Sequence, residues 1–316
     1  MKILVTGCAG FIGFHVCKKL ISSRNEVLGI DNLNSAYETS LKKERLDILR
    51  KSKNFKFEKK DLRLTDSLDS FKCDYVVHLA ARAGVFESSI NPKDYYFDNI
   101  LGHFNVLEFC RKNKLPLIYA SSSSVYNNIN NEPIRENAIL DPKSFYGFTK
   151  KSNEKLSKFY SENFNLKQIG LRFFSVYGSM GRPDMAYWIF SKKIANNNTL
   201  EIFGDGSQTR DMTHVSDVAE YVEILLNEKL PNPHMLFNIC RGETHSLNTI
   251  LMTISSKLKR SPIIDYQSPR SCEAKFNYGC NKKIKKITGY APKISIDEGM
   301  DEFLYWFKKY DHNFLK

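Results

Sequence analysis

No apolar run in this 316-residue chain approaches the ~20 residues of a membrane-spanning helix. The opening residues, Lys2-Ile3-Leu4-Val5-Thr6-Gly7, read as a strand, without the basic region, apolar stretch and cleavage site of an export signal. The expectation is a cytoplasmic protein with no membrane partner. Cysteine is sparse: Cys8, Cys17, Cys73, Cys110, Cys240, Cys272 and Cys280 are odd in number, scattered, and lack the paired spacing of a zinc site. Reduced thiols and no metal are therefore expected. Internal repeats, low-complexity tracts and Pro/Gly/Ser linkers are also missing, so independently moving domains are not expected. Acidic residues are outnumbered, 35 against 47 basic, for a net charge of +12. The lysines are spread over polar helix faces, with only short runs such as Lys282-Lys283 and Lys285-Lys286. That distribution solvates a surface rather than binding nucleic acid, although it can gather an anionic substrate.

What is present is alternation. Short aliphatic or β-branched runs at Ile3 to Thr6, Val27 to Asp31, Phe55 to Glu58, Tyr75 to Ala80, Leu117 to Ser121 and Gln168 to Arg172 predict six strands. Amphipathic segments near Ile12 to Ser23, Leu41 to Lys51, Tyr95 to Asn113 and Phe145 to Phe164 predict helices between them. The fold class is α/β, a Rossmann-type doubly wound parallel sheet that binds ligands at the carboxyl ends of its strands. After Arg172 the chain becomes loop-rich, which predicts a smaller, mixed C-terminal substrate-binding part.

Thr6-Gly7-Cys8-Ala9-Gly10-Phe11-Ile12-Gly13 follows the first strand and opens the first helix. Its glycines suit a tight turn, a close approach of backbone N–H groups to a pyrophosphate at the positive helix end, and close helix-to-sheet packing. Phe11 and Ile12 complete the turn. Asp31 falls 18 residues after Gly13, at the end of the second strand, where a carboxylate accepts hydrogen bonds from an adenosine ribose and repels a 2′-phosphate. The following Asn32-Leu33-Asn34 holds no cation, so NAD is favoured over NADP. Asp61-Leu62 is placed to meet the adenine, and Leu79-Ala80-Ala81 is small enough to pass beside the cofactor. The NAD-binding domain is expected over 1–172, rejoined near 213–239, with the substrate part over 173–212 and 240–316.

Tyr146-Gly147-Phe148-Thr149-Lys150 sets a tyrosine and a lysine four apart on one helix face. Tyrosine ionises near pKa ~10, and moving it to about 7 takes ~4 kcal/mol, which a lysine ammonium and a positive nicotinamide could supply. Ser121-Ser122-Ser123-Ser124 ends the fifth strand and offers a hydroxyl to the reacting oxygen. Tyrosine as general base with a serine hydrogen-bond partner follows.

Together these motifs, with His78-Leu79-Ala80-Ala81, Val125-Tyr126 and Leu171-Arg172-Phe173-Phe174-Ser175-Val176-Tyr177-Gly178, resemble the extended short-chain dehydrogenase/reductase family over essentially the whole chain. Within it, Gly29-Ile30-Asp31-Asn32-Leu33-Asn34 and Gly181-Arg182-Pro183-Asp184-Met185-Ala186 look most like the UDP-glucuronate 4-epimerases. The resemblance implies a nucleotide-sugar 4-epimerase acting through a transient 4-keto sugar, with NAD retained and Tyr146, Lys150 and Ser122 catalytic. It implies that Asn99 and Phe174 border the nicotinamide side and that Ser122, Ser123 and Ser175 face the substrate. Arg182 would meet the sugar carboxylate and Arg210 the diphosphate, anions that guanidinium forks suit. It further implies a homodimer through a four-helix interface and, from the substrate class, a surface-polysaccharide role.

Departures from the family pattern bear on the sugar and base. Phe86-Glu87-Ser88 stands where Arg-Tyr-Ser is usual, Asn127 replaces a glycine, Ser179-Met180 replaces Pro-Trp, and Ser268-Pro269-Arg270-Ser271-Cys272 replaces a Pro-Gly-Asp segment. Ser123-Ser124 stands where a 4,6-dehydratase carries Asp-Glu, which argues against dehydration. Another epimerase, a 4-keto reductase or a decarboxylase remains open on the residues, as does a non-catalytic dinucleotide sensor.

Overall fold

A computed structural model of the chain describes residues 1–64, 68–127, 130–270 and 274–310. Ser271 and Cys272, the end of the departing C-terminal segment, lie outside them. In the first half, strands β1 (Lys2–Thr6), β2 (Glu26–Asp31), β3 (Phe55–Lys59), β4 (Tyr75–His78), β5 (Leu117–Ser122) and β6 (Gln168–Phe173) coincide with the six expected. β4 ends two residues early because Leu79 and Ala80 leave the sheet, their N–H groups turning onto the carbonyl and side-chain oxygens of Thr6 at 3.1 and 3.2 Å.

The second half contributes β7 (Ser175–Tyr177), β8 (Thr199–Phe203), β9 (Thr209–His214), β10 (His234–Ile239), β11 (Thr244–Ser246) and β12 (Ile263–Gln267). β10 pairs in parallel with β6 and completes a seven-stranded sheet of order β10-β6-β5-β4-β1-β2-β3. The order reverses between β1 and β4, and a crevice opens beyond the carboxyl ends of strands at such a switch point. β7, β9 and β11 form a small mixed sheet, and β8 pairs in parallel with β12.

Helices α1 (Phe11–Ser22), α2 (Thr39–Leu49), α3 (Glu87–Ile90), α4 (Pro92–Tyr95), α5 (Gly102–Asn113) and α6 (Phe145–Phe164) belong to the first half. α7 (Ala186–Ala195), α8 (Val215–Asn227), α9 (Leu247–Leu258), α10 (Lys282–Thr288) and α11 (Ile296–Tyr310) belong to the second. The helix expected over Tyr95 to Asn113 is interrupted by a π-helical stretch, Tyr96–Leu101, whose wider turn carries the buried Asn99. Aliphatic and aromatic side chains from both halves form one continuous core: Ile3 and Val5 of β1, Phe14 of α1, Val218 and Val222 of α8, and Trp188, Phe303 and Phe307 beyond them. On α11, Met300, Phe303, Leu304 and Phe307 recur at helical spacing, and burying each contributes about 1.5–3 kcal/mol. The elements of the second half are thus fixed to the sheet by packing.

Candidate active site

A cavity of about 1170 Å³ runs from the glycine-rich turn, past the ends of β1 and β4, to the loops after β6 and β12. At its first end, Gly7 has φ +73°, and a Cβ there would lie 2.6 Å from the Ala80 nitrogen. A Cβ on Gly13 would meet the Gly7 carbonyl at 2.0 Å, so only glycine lets α1 begin this close to the strand. Gly10 precedes α1 with no side-chain cap, which leaves the first N–H groups of the helix turned to the cavity for an anion. Phe11, Ile12, Asp31, Asn32, Asp61, Leu62, Leu79, Ala80 and Ala81 line the same end.

Asp31 accepts from the Leu33 N–H at 2.8 Å, and Lys42 Nζ stands 3.8 Å away, held by Asn34 Oδ1 at 2.8 Å. The sequence showed no cation next to Asp31; α2 supplies one from eleven residues on. Burial pulls Lys42 below the ordinary lysine range, with the Asp31 charge opposing. Asp61 is held below the usual carboxylate range by hydrogen bonds from Arg63. Uncapped amides, a slot that a Cβ would fill and an acidic strand end together fit an NAD dinucleotide.

The opposite wall holds the catalytic candidates. Ser144 caps α6, its hydroxyl accepting from the Gly147 N–H at 3.1 Å, and a Cβ on Gly147 would lie 2.2 Å from the Ser124 carbonyl. The glycine between Tyr146 and Lys150 therefore lets α6 press onto the turn after β5. The four serines separate by role. Ser121 donates to Glu154 at 2.6 Å within the core, Ser123 accepts from Asn277 Nδ2 at 3.1 Å, and Ser122 donates to Ser124 Oγ at 3.2 Å while lining the cavity beside Tyr146.

Burial holds the Tyr146 phenol above its ordinary value, against a hydrogen bond to Ser122 and the charge of Arg182. Lys150 Nζ donates to the Ala120 carbonyl at 3.0 Å and lies 5.9 Å from the Tyr146 ring centre. Desolvation lowers Lys150 to about 8, with Glu154 opposing. Without the cofactor's positive nicotinamide, burial dominates at Tyr146, and Arg182 is the charge that opposes it. Behind Lys150, Glu154 forms a buried two-pronged pair with Arg172 at 2.7 and 2.8 Å.

Phe174, Ser175, Arg182 and Arg210 also line the cavity. Arg182 Nε donates to Asp184 Oδ1 at 3.0 Å, and Arg210 Nη1 donates to the carbonyls of Thr209 and Ala274 at 2.8 and 3.0 Å. Asn99 is the exception. It is 1 % exposed and spends its amide on the Arg82 backbone at 2.7 and 3.0 Å and on Thr149 Oγ1 at 3.0 Å. It does not line the cavity and joins the Arg82 backbone to α6. Tyr95, buried behind Tyr146 with ring centres 6.3 Å apart, and Lys275 at the far rim were not foreseen; both sit in segments that read as ordinary amphipathic or loop sequence.

The loss of a cation at Phe86 has a counterpart across the cavity. The Arg270 guanidinium lies 4.4 Å from the Phe86 ring centre and 3.6 Å from that of Phe203, so positive charge returns from the loop after β12.

Residues 3–240 match the NAD dependent epimerase/dehydratase family. The chain belongs to this family. It is the extended short-chain dehydrogenase/reductase type that the motifs resemble. A UDP-glucuronate 4-epimerase of Thermodesulfobacterium geofontis is 37% identical over 313 residues, covering 97% of this chain and 96% of the relative. The crystal structure of a Bacillus cereus UDP-glucuronic acid 4-epimerase, in complex with UDP-glucuronic acid and NAD, superposes with a TM-score of 0.93 at 33% identity, covering 98% of this chain and 100% of that one. A UDP-glucose 4-epimerase of Thermotoga maritima, with UDP-glucose, superposes at 0.89 with 29% identity, over 98% of this chain and 99% of that one. The NAD dependence of the family accords with the cofactor cradle at the glycine-rich turn. No helix among the described residues is long and apolar enough to cross a membrane, and no cluster of His, Cys, Asp or Glu among them could hold a metal.

Proposed function

We propose that this member of the family is an NAD-dependent nucleotide-sugar 4-epimerase that interconverts UDP-glucuronate and UDP-galacturonate. The observation that carries the sugar assignment is Arg182, a cation beside Tyr146 inside the cavity, where a hexuronate carboxylate would sit when its C4 hydroxyl meets the phenol. The two UDP-glucuronate relatives support the same reading. Bound NAD supplies a hydride acceptor for C4 that returns the hydride without net redox. Tyr146 takes the proton from the C4 hydroxyl and gives it back after the sugar presents its other face. Ser122 hydrogen-bonds the reacting oxygen, and Lys150 holds the cofactor ribose and stabilises the phenolate. Arg210 and Arg270 gather the diphosphate.

The cofactor part is 1–172 with the return near 213–239, and the substrate part is 173–212 with 240–316. Exposed aromatic side chains on α5 and α6, Phe104 at 40 %, Phe148 at 50 % and Phe159 at 54 %, support pairing of these helices with a second copy in a two-fold dimer. The six described cysteines are all free, in keeping with a cytoplasmic enzyme that feeds surface-polysaccharide synthesis. Substrate deuterated at C4 tests the mechanism: the label stays at C4 of the product in ordinary water, whereas its loss to solvent would rule out an internal hydride return.

A further inference from the structure

A single guanidinium ties the cofactor turn to the loop that carries Arg182. Arg45, on α2, is 0 % exposed. Its Nε and Nη2 donate to the Met180 carbonyl at 3.2 and 2.6 Å, and Nη2 also to the Gly181 carbonyl at 2.8 Å. Nη1 donates to the Ala9 carbonyl, within the glycine-rich turn, at 2.8 Å and to the Tyr37 hydroxyl at 2.6 Å. Five hydrogen bonds thus occupy a group with five donors, and every acceptor is a carbonyl or a phenol rather than a carboxylate. On the preceding residue, the Ser179 carbonyl accepts from His15 Nε2 of α1 at 2.9 Å. Three consecutive carbonyls, of residues 179 to 181, are therefore captured by the two helices that flank the cofactor cradle.

The captured segment is strained. Met180 is 6 % exposed and has φ +55°, a left-handed conformation that an L-residue disfavours by roughly fivefold or more. The next residue is pinned too, because a Cβ on Gly181 would lie 1.9 Å from the Tyr187 hydroxyl. The turn from which Arg182 emerges is thus held by Arg45 at the Met180 and Gly181 carbonyls and by His15 at the Ser179 carbonyl.

We propose that Arg45 is a positioning residue: it holds Met180 in its left-handed turn and so fixes Arg182, the sugar-anion partner, at a set distance from the glycine-rich cofactor turn. This rests on the reading of Arg182 given above. It makes recognition of the sugar carboxylate depend on a residue that does not line the cavity.

The test is a double-mutant cycle of Arg45→Met and Met180→Gly, with Arg45→Lys as a charge-retaining variant, each read by thermal midpoint and by the ratio of UDP-glucuronate to UDP affinity. Arg45→Met is expected to lower that ratio at least fivefold, since only the carboxylate needs the oriented Arg182, and Arg45→Lys to lower it less. Glycine adopts the left-handed turn freely, so Met180→Gly is expected to raise the ratio about fivefold more in the Arg45→Met background than in the wild type. The packing lost with the methionine side chain is common to both backgrounds and cancels. An unchanged ratio in both Arg45 variants, or equal effects of Met180→Gly in both backgrounds, overturns the proposal. Should Arg45→Met fail to fold, the cycle is run on Arg45→Lys. Should the wild type bind UDP-glucuronate no better than UDP, the sugar assignment falls instead. Coupling of positions 45 and 180 in the thermal midpoints then decides the positioning role by itself: non-additive midpoints support it, additive ones overturn it.

Discussion

Replacing Lys150 by methionine should stabilise the protein while disabling it. Lys150 is 2 % exposed, and desolvation brings it from the ordinary lysine value to about 8. A fall of that size, from ~10.5, corresponds to about 3.4 kcal/mol against the charged form at 1.36 kcal/mol per pH unit. Methionine has similar length and no charge to bury, but it abandons the hydrogen bond to the Ala120 carbonyl, a loss of about 1 kcal/mol. The net gain near pH 7 is about 2 kcal/mol, or a rise of roughly 4 °C in melting temperature for a chain of this size.

The sign reverses with pH. The folded wild type releases the Lys150 proton near 8 and the unfolded chain near ~10.5, so the unfolded state binds more protons in that window and wild-type stability rises across it. The advantage of Lys150→Met should therefore shrink from pH 8 upward. By about pH 10.5 the wild type, with a neutral amine still bonded to Ala120, should be the more stable by about 1 kcal/mol. Melting curves of cofactor-free wild type and variant from pH 7 to 10.5, with turnover measured alongside, provide the check. A variant less stable at pH 7, or an advantage independent of pH, would refute the claim that a buried ammonium is held here for function at a cost in stability.

Tyr146→Phe should lower kcat by about a thousandfold and leave UDP-sugar affinity within a few-fold, because the lost hydroxyl acts in proton transfer; steady-state kinetics with calorimetric binding separates the two. Gly7→Ala places a methyl group 2.6 Å from the Ala80 nitrogen at φ +73°. It should cost more than the ~1–2 kcal/mol of the left-handed conformation alone, because the methyl group meets backbone atoms, and weaken NADH binding at least tenfold, read by melting and NADH fluorescence. Arg270→Ala removes the guanidinium stacked on Phe86 and Phe203 and should raise KM for the UDP-sugar about tenfold, near 1.4 kcal/mol, with kcat within threefold. An unchanged KM would mean that the stack serves the loop alone.

The cofactor end was legible because local geometry forces residue identity there. Gly7 and Gly13 stand where backbone leaves no room for a Cβ, and Asp31 stands at a strand end, so spacing alone exposes them. The central strands were equally legible, since strands buried on both faces write continuous aliphatic runs, whereas the half-exposed edge strand β3 showed only Phe55 and Phe57 alternating with Lys56 and Glu58. Arg45 and Lys42 were hidden for the opposite reason. In Leu41-Lys42-Lys43-Glu44-Arg45 they read as a solvated helix face, yet Lys42 is 5 % and Arg45 0 % exposed. Their acceptors are the carbonyls of Ala9, Met180 and Gly181, the Tyr37 hydroxyl and the Asn34 side chain, which no sequence pattern pairs with them. The π-helical stretch at Tyr96–Leu101 escaped for a similar reason, since the apolar periodicity of an α-helix tolerates one wider turn. The meeting of Arg270 with Phe86 joins segments 184 positions apart, and sequence alone showed only two separate departures from the family pattern.

The most direct test of the central claim is incubation of the purified protein with UDP-glucuronate, with and without added NAD, following the sugar protons by NMR and absorbance at the NADH band together. The predicted result is UDP-galacturonate accumulating to equilibrium with no net NADH. An unchanged sugar, or NADH formed in step with its loss, would contradict the assignment as a UDP-glucuronate 4-epimerase.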